Sequence, residues 1–219
     1  AYADTLRAVF DAGETLGTNP TGANARALVE YVSANPNTPL SLHHARGAAI
    51  GDAVAGLLQA SGYAVEREFS VRDSAGDRYA DLSPEAAATA LAPVLLNLMQ
   101  AEQRETLTRF GTAFDRWFGE AALLAEGALQ KVLDTLLASG AAYAHGGALW
   151  LRTTRYGDDG DRVLLRSDGT PSYFAGDLAY HAGKLSTRGY DLAVDVWNAD
   201  HEGYIGRTTA GLAALGVPD

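Results

Sequence analysis

The segment Ser33–Asp52 constrains the fold more than any other part of the chain, because it joins an apolar run to an amphipathic pattern. Ala27–Val32 is a short apolar run bounded by turn residues, which predicts a buried strand. Residues 43–60 place apolar side chains at helical spacing before Gly62, and Tyr63–Val71 alternates as a second strand. The sequence therefore predicts a β–α–β unit, whose turn before the helix is where α/β folds bind phosphate.

The remaining sequence alternates between helical and strand patterns. Helices are predicted at residues 1–16, 84–108, 126–138, 173–186 and 204–215, a hairpin at 141–151, and strands at 163–166 and 193–197. We expect Pro93 to break or kink the longest helix. The order predicts an α/β fold with a Rossmann-type doubly wound parallel sheet. Its halves fall at about 26–75 and 160–219, split by a helical and β-hairpin insertion at about 76–159.

Composition narrows the class of protein. With 219 residues, 47% of them hydrophobic and 20% charged, the chain is expected to fold as an ordinary globular domain. The absence of cysteine excludes disulfides, zinc–thiolate sites and cysteine nucleophiles. No apolar run approaches the roughly 18 residues of a membrane span, and the N-terminus lacks a signal-peptide pattern, so a cytoplasmic location is expected. A net charge of −10 with scattered arginines argues against a stand-alone RNA binder.

Four blocks of sequence carry a family resemblance. Glu30–Asp52 contains Glu-Tyr-Val-Ser-Ala-Asn-Pro and His-Ala-Arg-Gly-Ala-Ala-Ile-Gly-Asp. Residues 151–181 contain Leu-Arg-Thr-Thr, Ser-Asp-Gly-Thr and Asp-Leu-Ala-Tyr-His, and residues 196–204 contain Val-Trp-Asn-Ala-Asp-His. With Arg109–Phe118 between them, these blocks resemble the catalytic domain of bacterial-type arginyl-tRNA synthetases, in the same order over roughly residues 5–219.

The resemblance implies a class I synthetase with a Rossmann-type catalytic domain, which makes arginyl-adenylate from arginine and ATP and transfers arginine to tRNA. It implies ATP with Mg²⁺ as the cofactor of an active chain, and no metal site built from protein side chains. Arginine is the expected partner, tRNA is a weaker expectation, and no membrane partner is expected. A protein partner or a homo-oligomer stays open.

The resemblance also implies an arginine site. A guanidinium pairs best with a planar carboxylate, and Tyr173 and Asp177 are four positions apart, on one face of a predicted helix. The family assigns Asp177 as the charge partner and Tyr173 as a wall, while Glu30 and Asn35 match positions that bind the two ends of arginine. His201 is also assigned to this site. Without the family, Asp177 reads as a solvated helix residue, Tyr173 as packing and Asn35 as a turn residue.

The predicted ATP site departs from the family signature His-x-Gly-His. Ser41 replaces its first histidine and His43 replaces its glycine. The glycine lets adenine lie against the backbone, and the lost histidine removes a phosphate donor of about 2–4 kcal/mol. The adjacent histidines are not expected to bind a metal, because neighbouring residues do not share a helix face. The predicted ATP-binding residues are Ser41, His43, His44, Gly47, Asp52 and Asn198, with His44 as the predicted catalytic residue.

Three functions follow as alternatives. The first is a synthetase-like core that binds arginine but in which ATP-dependent activation and aminoacylation are impaired. If neither step is impaired, the chain is a fragment of an active arginine–tRNA ligase. The second is a non-catalytic arginine-binding or regulatory paralogue. The third is a ligase or transferase that joins arginine to a small molecule. The family's Lys-Met-Ser-Lys-Ser loop, anticodon-binding domain and N-terminal tRNA-binding domain have no match in these 219 residues, so impairment is expected.

Overall fold

A computed structural model describes residues 2–36, 38–71, 85–120, 123 and 126–217, with the backbone alone at 85–92. The described strands are β1 Arg26–Tyr31, β2 Ala64–Val71, β3 Arg116–Gly119, β4 Ala142–His145, β5 Ala148–Leu151, β6 Arg162–Leu165 and β7 Leu192–Val196. The longer described helices are α1 Tyr2–Ala12, α2 Leu42–Ala60, α3 Glu85–Phe110, α4 Ala128–Ala138, α5 Tyr173–Leu185 and α6 Glu202–Ala214. Among these residues, no helix combines the length and apolarity that a membrane crossing requires.

Four strands form an all-parallel sheet in the order β3-β2-β1-β7, which confirms the predicted α/β class. β1 is central, and all of its residues after Arg26 are buried, as is typical of a strand covered on both faces. Val29 and Tyr31 pack with residues of α2. Because side chains alternate along a strand, Leu28 and Glu30 point to the opposite face. β1 therefore carries a buried acid, Glu30, on the face of the sheet that is turned away from α2.

Small residues bring α2 close to this sheet. Ala48, Gly51 and Ala55 are its buried residues, and their spacing of three and four places them on one face. A Cβ atom at Gly51 would lie 2.1 Å from Cγ of Tyr31, so only glycine fits there. This contact fixes the height of α2 above β1, and with it the position of the turn that precedes α2.

The hairpin prediction is also confirmed. β4 and β5 pair antiparallel, and β6 adds to β5 to complete a three-stranded sheet. The turn consists of Gly146 and Gly147, whose φ angles of +59° and +78° suit a two-residue hairpin of type I′. This small sheet shares a hydrophobic core with α4 and α5, in which Leu136, Leu164 and Leu178 are fully buried.

The division of the chain differs from the predicted one in two places. β3 lies inside the predicted insertion at 76–159 but pairs with β2 in the parallel sheet. β6 lies inside the predicted second half at 160–219 but pairs with the hairpin. Both strands have only four residues: β3 was not predicted as a strand, and β6 was predicted at 163–166, but so short a pattern does not identify its partner. The predicted loop at 76–83 lies outside the described residues.

Pro93 does not break its helix. α3 runs from Glu85 to Phe110 with Pro93 inside it. A proline removes one backbone hydrogen bond, and a long helix accommodates that loss locally when its other turns are supported. Of the two predicted alternatives, a break at Pro93 is therefore wrong, and a kink stays a prediction.

Candidate functional site

A pocket with a cavity volume of about 180 Å³ lies at the carboxyl ends of β1 and β7. The chain proceeds from β1 through β2 to β3 on one side and returns to β7 on the other, so this is the point where the strand order reverses. Ligands of open α/β sheets bind at such points. The predicted site residues that line the pocket are Glu30, His43, His44, Gly47, Asp177, Asn198 and His201.

A strained turn leads from β1 into the pocket. Val32 and Ser33 have φ angles of +68° and +39°, a conformation that costs a β-branched valine free energy. The Ser33 N–H donates to the Tyr31 carbonyl at 3.0 Å and closes a γ-turn about Val32. Ser33 Oγ donates to Glu30 Oε1 at 2.8 Å and accepts from the Ser70 N–H at 3.0 Å. Bonds to β1 and β2 therefore hold the strained turn in place.

Four predicted site residues do not line the pocket, namely Asn35, Ser41, Asp52 and Tyr173. Asp52 and Asn35 contact other parts of the fold. Asp52 forms an ion pair with Arg67, whose Nε lies 3.4 Å from Oδ1. Asn35 is held through its backbone, because Gln103 Nε2 donates to its carbonyl oxygen at 3.0 Å. Gln103 is almost completely buried, so it ties α3 to the loop that precedes α2. In this structure, Asp52 and Asn35 support the fold around the site.

Ser41, His43 and His44 form a small cycle at the start of α2. The Ser41 N–H donates to His44 Nδ1 at 3.0 Å, which places the His44 proton on Nε2. His44 Nε2 lies 3.1 Å from His43 Nε2, and His43 Nδ1 lies 2.7 Å from Ser41 Oγ. The tautomers that satisfy all three contacts keep both rings neutral. Burial and the neighbouring His43 lower the pKa of His44, in agreement with a neutral ring.

Tyr173 and Asp177 differ in their surroundings although they are one turn apart. Tyr173 is the first residue of α5 and is 51% exposed, and it does not line the pocket. The helix starts there because Ser172 caps it, with its Oγ accepting from the Ala175 N–H at 3.2 Å. Asp177 follows one turn later, is partly buried and lines the pocket. Of the predicted pair, the structure brings Asp177 to the pocket wall.

A buried ammonium lies next to the pocket. Lys184 is fully buried, and its Nζ donates to Glu30 Oε2 at 2.5 Å and to Asp195. His181 Nδ1 lies 3.3 Å from the same Nζ. Since Glu30 Oε1 accepts from Ser33, both oxygens of Glu30 hold groups of the protein itself. Glu30 therefore acts in this structure as an anchor for Lys184.

The same cluster shifts the ionisation of its members. Burial raises the pKa of Glu30, and the attraction of Lys184 offsets this only in part. Burial also opposes ionisation of Asp195, but Lys184 and a hydrogen bond from His181 outweigh it and hold the pKa of Asp195 well below its usual range. Burial alone would lower the pKa of Lys184, but the attraction of Glu30 and Asp195 outweighs burial and raises this pKa. The ammonium therefore stays charged.

Lys184 occupies the place of a cation. Glu30, His181 and Asp195 each offer a ligand atom, and these atoms lie within 4.8 Å of one another. Carboxylate and imidazole groups at this spacing suit a divalent metal ion. The Lys184 ammonium contacts all three residues, so the protein supplies its own cation at this position.

A second ionic network extends the cluster across the sheet. Glu68 on β2 is in register with Glu30, which is in register with Asp195 on β7. Arg188 pairs with both oxygens of Glu68, with Nη1 at 2.9 Å from Oε1. Tyr180 Oη donates to the same Oε1 at 2.5 Å. Three neighbouring strands thus carry a row of acids that α5 and the segment after it neutralise.

Sequence reasoning missed this row. Glu68 and Asp195 each place a charge inside a strand pattern, and Lys184 places one on the buried side of a helix. Charged residues are almost never fully buried without a partner. A charge inside an apolar pattern therefore indicates that the residue is paired in the folded chain. The pairing of these residues could not be inferred, because it depends on strands that are distant in the chain.

Aromatic rings form another wall of the pocket. The ring centroids of Trp197 and His201 are 6.1 Å apart, and those of His201 and Tyr204 are 5.6 Å apart. All three residues line the pocket, and they follow the end of β7. Neighbouring rings are tilted by 43° and 48° relative to each other, so each offers its own aromatic face to a planar ligand group in the pocket.

Comparisons with known proteins agree with this architecture. No family model matches the chain. The arginine–tRNA ligase of Nitratidesulfovibrio vulgaris is 38% identical over 261 residues, covering 98% of this chain and 47% of that protein. The arginine–tRNA ligase of a Geobacter species is 36% identical and covers 99% of this chain and 47% of its own length. A solved structure from Campylobacter jejuni, assigned to arginyl-tRNA synthetase, has a TM-score of 0.85 at 26% identity, covering 97% of this chain and 56% of that one.

The chain spans about half the length of the curated relatives that it matches. Their aligned stretch of 261 residues exceeds the 219 residues of this chain, so the relatives carry further residues inside the matched region. These relatives are the proteins whose sequence blocks this chain resembles, in the same order. The parallel sheet and the pocket at its switch point are consistent with that resemblance. The chain belongs to the arginyl-tRNA synthetase family, as a core that resembles its catalytic domain.

Proposed function

We propose that this chain binds L-arginine in the pocket between β1 and β7, and that its ATP-dependent activation of arginine is impaired. The proposal rests on the negative charge of the pocket wall. Glu120 and Asp177 line the pocket beside Glu30, whose charge Lys184 balances, and the described lining residues include no lysine or arginine. A wall of this charge attracts a cationic ligand and repels a polyphosphate.

Asp177 is the better candidate for the guanidinium partner. A guanidinium presents a planar fork of donors that pairs with both oxygens of a carboxylate. The Glu30 oxygens already accept from Ser33 and Lys184, and Glu30 is buried. Asp177 is partly exposed on the pocket wall. We therefore assign the charge of arginine to Asp177 and a supporting part to Glu30.

The aromatic wall supports the same ligand. Guanidinium groups stack on aromatic faces, which adds about 0.5–2 kcal/mol to their binding. Trp197, His201 and Tyr204 offer such faces in the pocket that Asp177 lines. A ligand with a planar cation and an aliphatic stem matches an acidic residue beside an apolar wall.

The described residues fit a nucleoside triphosphate poorly. His43 brings a ring to the position where the family signature has glycine, and that ring is hydrogen-bonded to Ser41. The His44 donor is directed at His43. No cation among the described lining residues balances the phosphate charge. We propose that ATP with Mg²⁺ binds weakly, and that aminoacylation of tRNA is impaired for the same reason.

Calorimetry and pyrophosphate exchange test the two parts of this proposal. L-Arginine is expected to bind saturably, and L-citrulline, its neutral isostere, at least about tenfold more weakly, because only the cation pairs with Asp177. Arginine-dependent pyrophosphate exchange is expected to stay at background. Absence of arginine binding would refute the recognition claim. Exchange well above background would refute impairment and favour a part of an active ligase.

A further inference from the structure

One stripe of α5 connects the pocket to the buried ionic cluster. Asp177, Tyr180, His181 and Lys184 follow one another at helical spacing and share one face over two turns. Asp177, Tyr180 and His181 line the pocket, and Lys184 at the far end of the stripe is fully buried. A rotation of α5 that moves Lys184 must therefore move Asp177 as well.

We propose that Lys184 is a positioning residue, whose ion pairs fix the rotation of α5 on the sheet and thereby direct Asp177 into the pocket. The inference rests on the proposed function, since arginine is the ligand through which the position of Asp177 is measured.

The contacts of Lys184 reach two neighbouring strands. Its Nζ donates to Glu30 on β1 and to Asp195 on β7, and these two acids are in register. His181 Nδ1 lies 3.4 Å from Asp195 Oδ2, which adds a second contact between the same helix face and β7. The two acids lie on neighbouring strands, so a rotation of α5 about its own axis would carry the ammonium towards one acid and away from the other. The pairs with both strands therefore define one rotation.

One other directional contact reaches from α5 to the sheet: Tyr180 Oη donates to Glu68 Oε1 at 2.5 Å, a single bond to β2, whereas Lys184 pairs with both β1 and β7. Arg188 pairs with Glu68 on β2, but it lies beyond Leu185, where α5 ends. Phe174 and Leu178 hold the opposite side of α5 in the hydrophobic core, where Leu178 lies close to Gly211 of α6. Apolar packing is non-directional and attaches the helix without specifying its rotation as sharply as a charge pair does.

The first experiment compares Lys184→Met with Lys131→Met, an exposed lysine on α4. Calorimetry on the folded variants is expected to show at least a tenfold weaker affinity for L-arginine in Lys184→Met and no change in Lys131→Met. The same substitution is then made in Asp177→Asn. If Lys184 acts through Asp177, Lys184→Met changes the affinity of Asp177→Asn less than about twofold. An equal loss in both backgrounds is the signature of a merely structural role and would overturn the inference.

The second experiment does not depend on arginine. In a crystal structure of Lys184→Met, the Asp177 carboxylate is expected to move by about 1 Å or more relative to β1, a displacement large enough to impair binding. An unchanged carboxylate would overturn the inference. If the unsubstituted chain fails to bind arginine, the proposed function is refuted, and the position of Asp177 still decides the role of Lys184.

A second variant covers the case in which Lys184→Met does not fold. Lys184→Met/Asp195→Asn removes a buried cation together with one of its anions, which is less costly than leaving the anion unpaired. The same displacement of Asp177 is expected in this variant. A structure in which Asp177 keeps its place would overturn the inference in the same way.

Discussion

Lys184 Nζ donates to Glu30 Oε2 over 2.5 Å, although the two residues are 154 positions apart in the chain. Glu30 lies on the central strand β1 and Lys184 on α5, so the pair joins the first strand of the chain to a helix that precedes β7. Both side chains are buried, and removal of one partner from such a pair costs about 3–5 kcal/mol. The cluster therefore couples the stability of the core to the shape of the pocket beside it.

The two lysines of the chain are expected to differ in reactivity. Lys131 is exposed, whereas Lys184 is buried and held as an ammonium by Glu30 and Asp195. Acetylation of the folded protein, followed by peptide mass spectrometry, should modify Lys131 and spare Lys184. Acetylation in denaturant is the control and should modify both. Comparable reaction of the two lysines in the folded protein would contradict the buried ion pair.

Two glycines of α2 provide a matched pair for packing. A Cβ at Gly51 would lie 2.1 Å from Tyr31 Cγ, whereas a Cβ at Gly56 meets no atom within 4 Å. Gly51→Ala is expected to lower the free energy of unfolding by about 1–3 kcal/mol through overpacking. Gly56→Ala should raise it by about 0.5–1 kcal/mol through helix propensity. Urea unfolding measures both, and equal effects at the two positions would contradict the close approach of α2 to β1.

Asp158 predicts a dependence of stability on pH. Arg162 donates to both of its oxygens, at 2.7 and 2.9 Å, and these bonds lower the pKa of Asp158 to about 2. Because the folded pKa lies below the unfolded value of about 3.9, the contribution is present above pH about 4 and is lost as the pH falls towards 2. Asp158→Asn is expected to cost about 2 kcal/mol at pH 7 and roughly half of that near pH 3.

The control for this prediction is Asp159→Asn. Asp159 contacts the same Arg162, but its side chain is 88% exposed, so the cost should stay below about 1 kcal/mol. Urea unfolding of both variants at several pH values measures the difference. A cost for Asp158→Asn that stays constant as the medium is acidified would show that the ion pair is not its source.

Restoring the family signature is expected to restore nucleotide binding. Ser41→His/His43→Gly supplies a phosphate donor and removes the ring that replaces the signature glycine. Pyrophosphate exchange should rise by at least about tenfold, since one donor to a developing phosphate charge is worth about 2–4 kcal/mol. Leu42→Ala, between the two positions and 87% exposed, is the matched control and should change nothing. If pyrophosphate exchange stays at background in the double variant, Ser41 and His43 are not the cause of the impairment.

Local patterns predicted the elements that carry long or distinctive signals. The apolar run of β1, the helical spacing of α2 and the Gly146-Gly147 turn all appear where their patterns indicate. β3 was missed because Arg116–Gly119 is too short to alternate, and the sheet of β6 was misassigned because a strand pattern does not name its partner.

The site was predictable to the extent that single residues reveal it. The resemblance indicates Asp177, His44 and His201, and all three line the pocket. It does not indicate that Lys184 already holds Glu30, because this contact exists only once β1, α5 and β7 are assembled. A charge inside an apolar pattern signals that a partner exists, and only the fold identifies the partner.

Calorimetric titration of the unsubstituted chain and of Asp177→Asn, each with L-arginine and with ATP, measures arginine recognition and nucleotide binding in the same assay. Asp134→Asn, an exposed carboxylate on α4, is the matched control. We expect saturable arginine binding that weakens at least about tenfold in Asp177→Asn alone, because the guanidinium loses its charged partner. ATP is expected to bind more weakly than arginine. Arginine affinity unchanged by Asp177→Asn, or ATP bound more tightly than arginine, would contradict the proposed function.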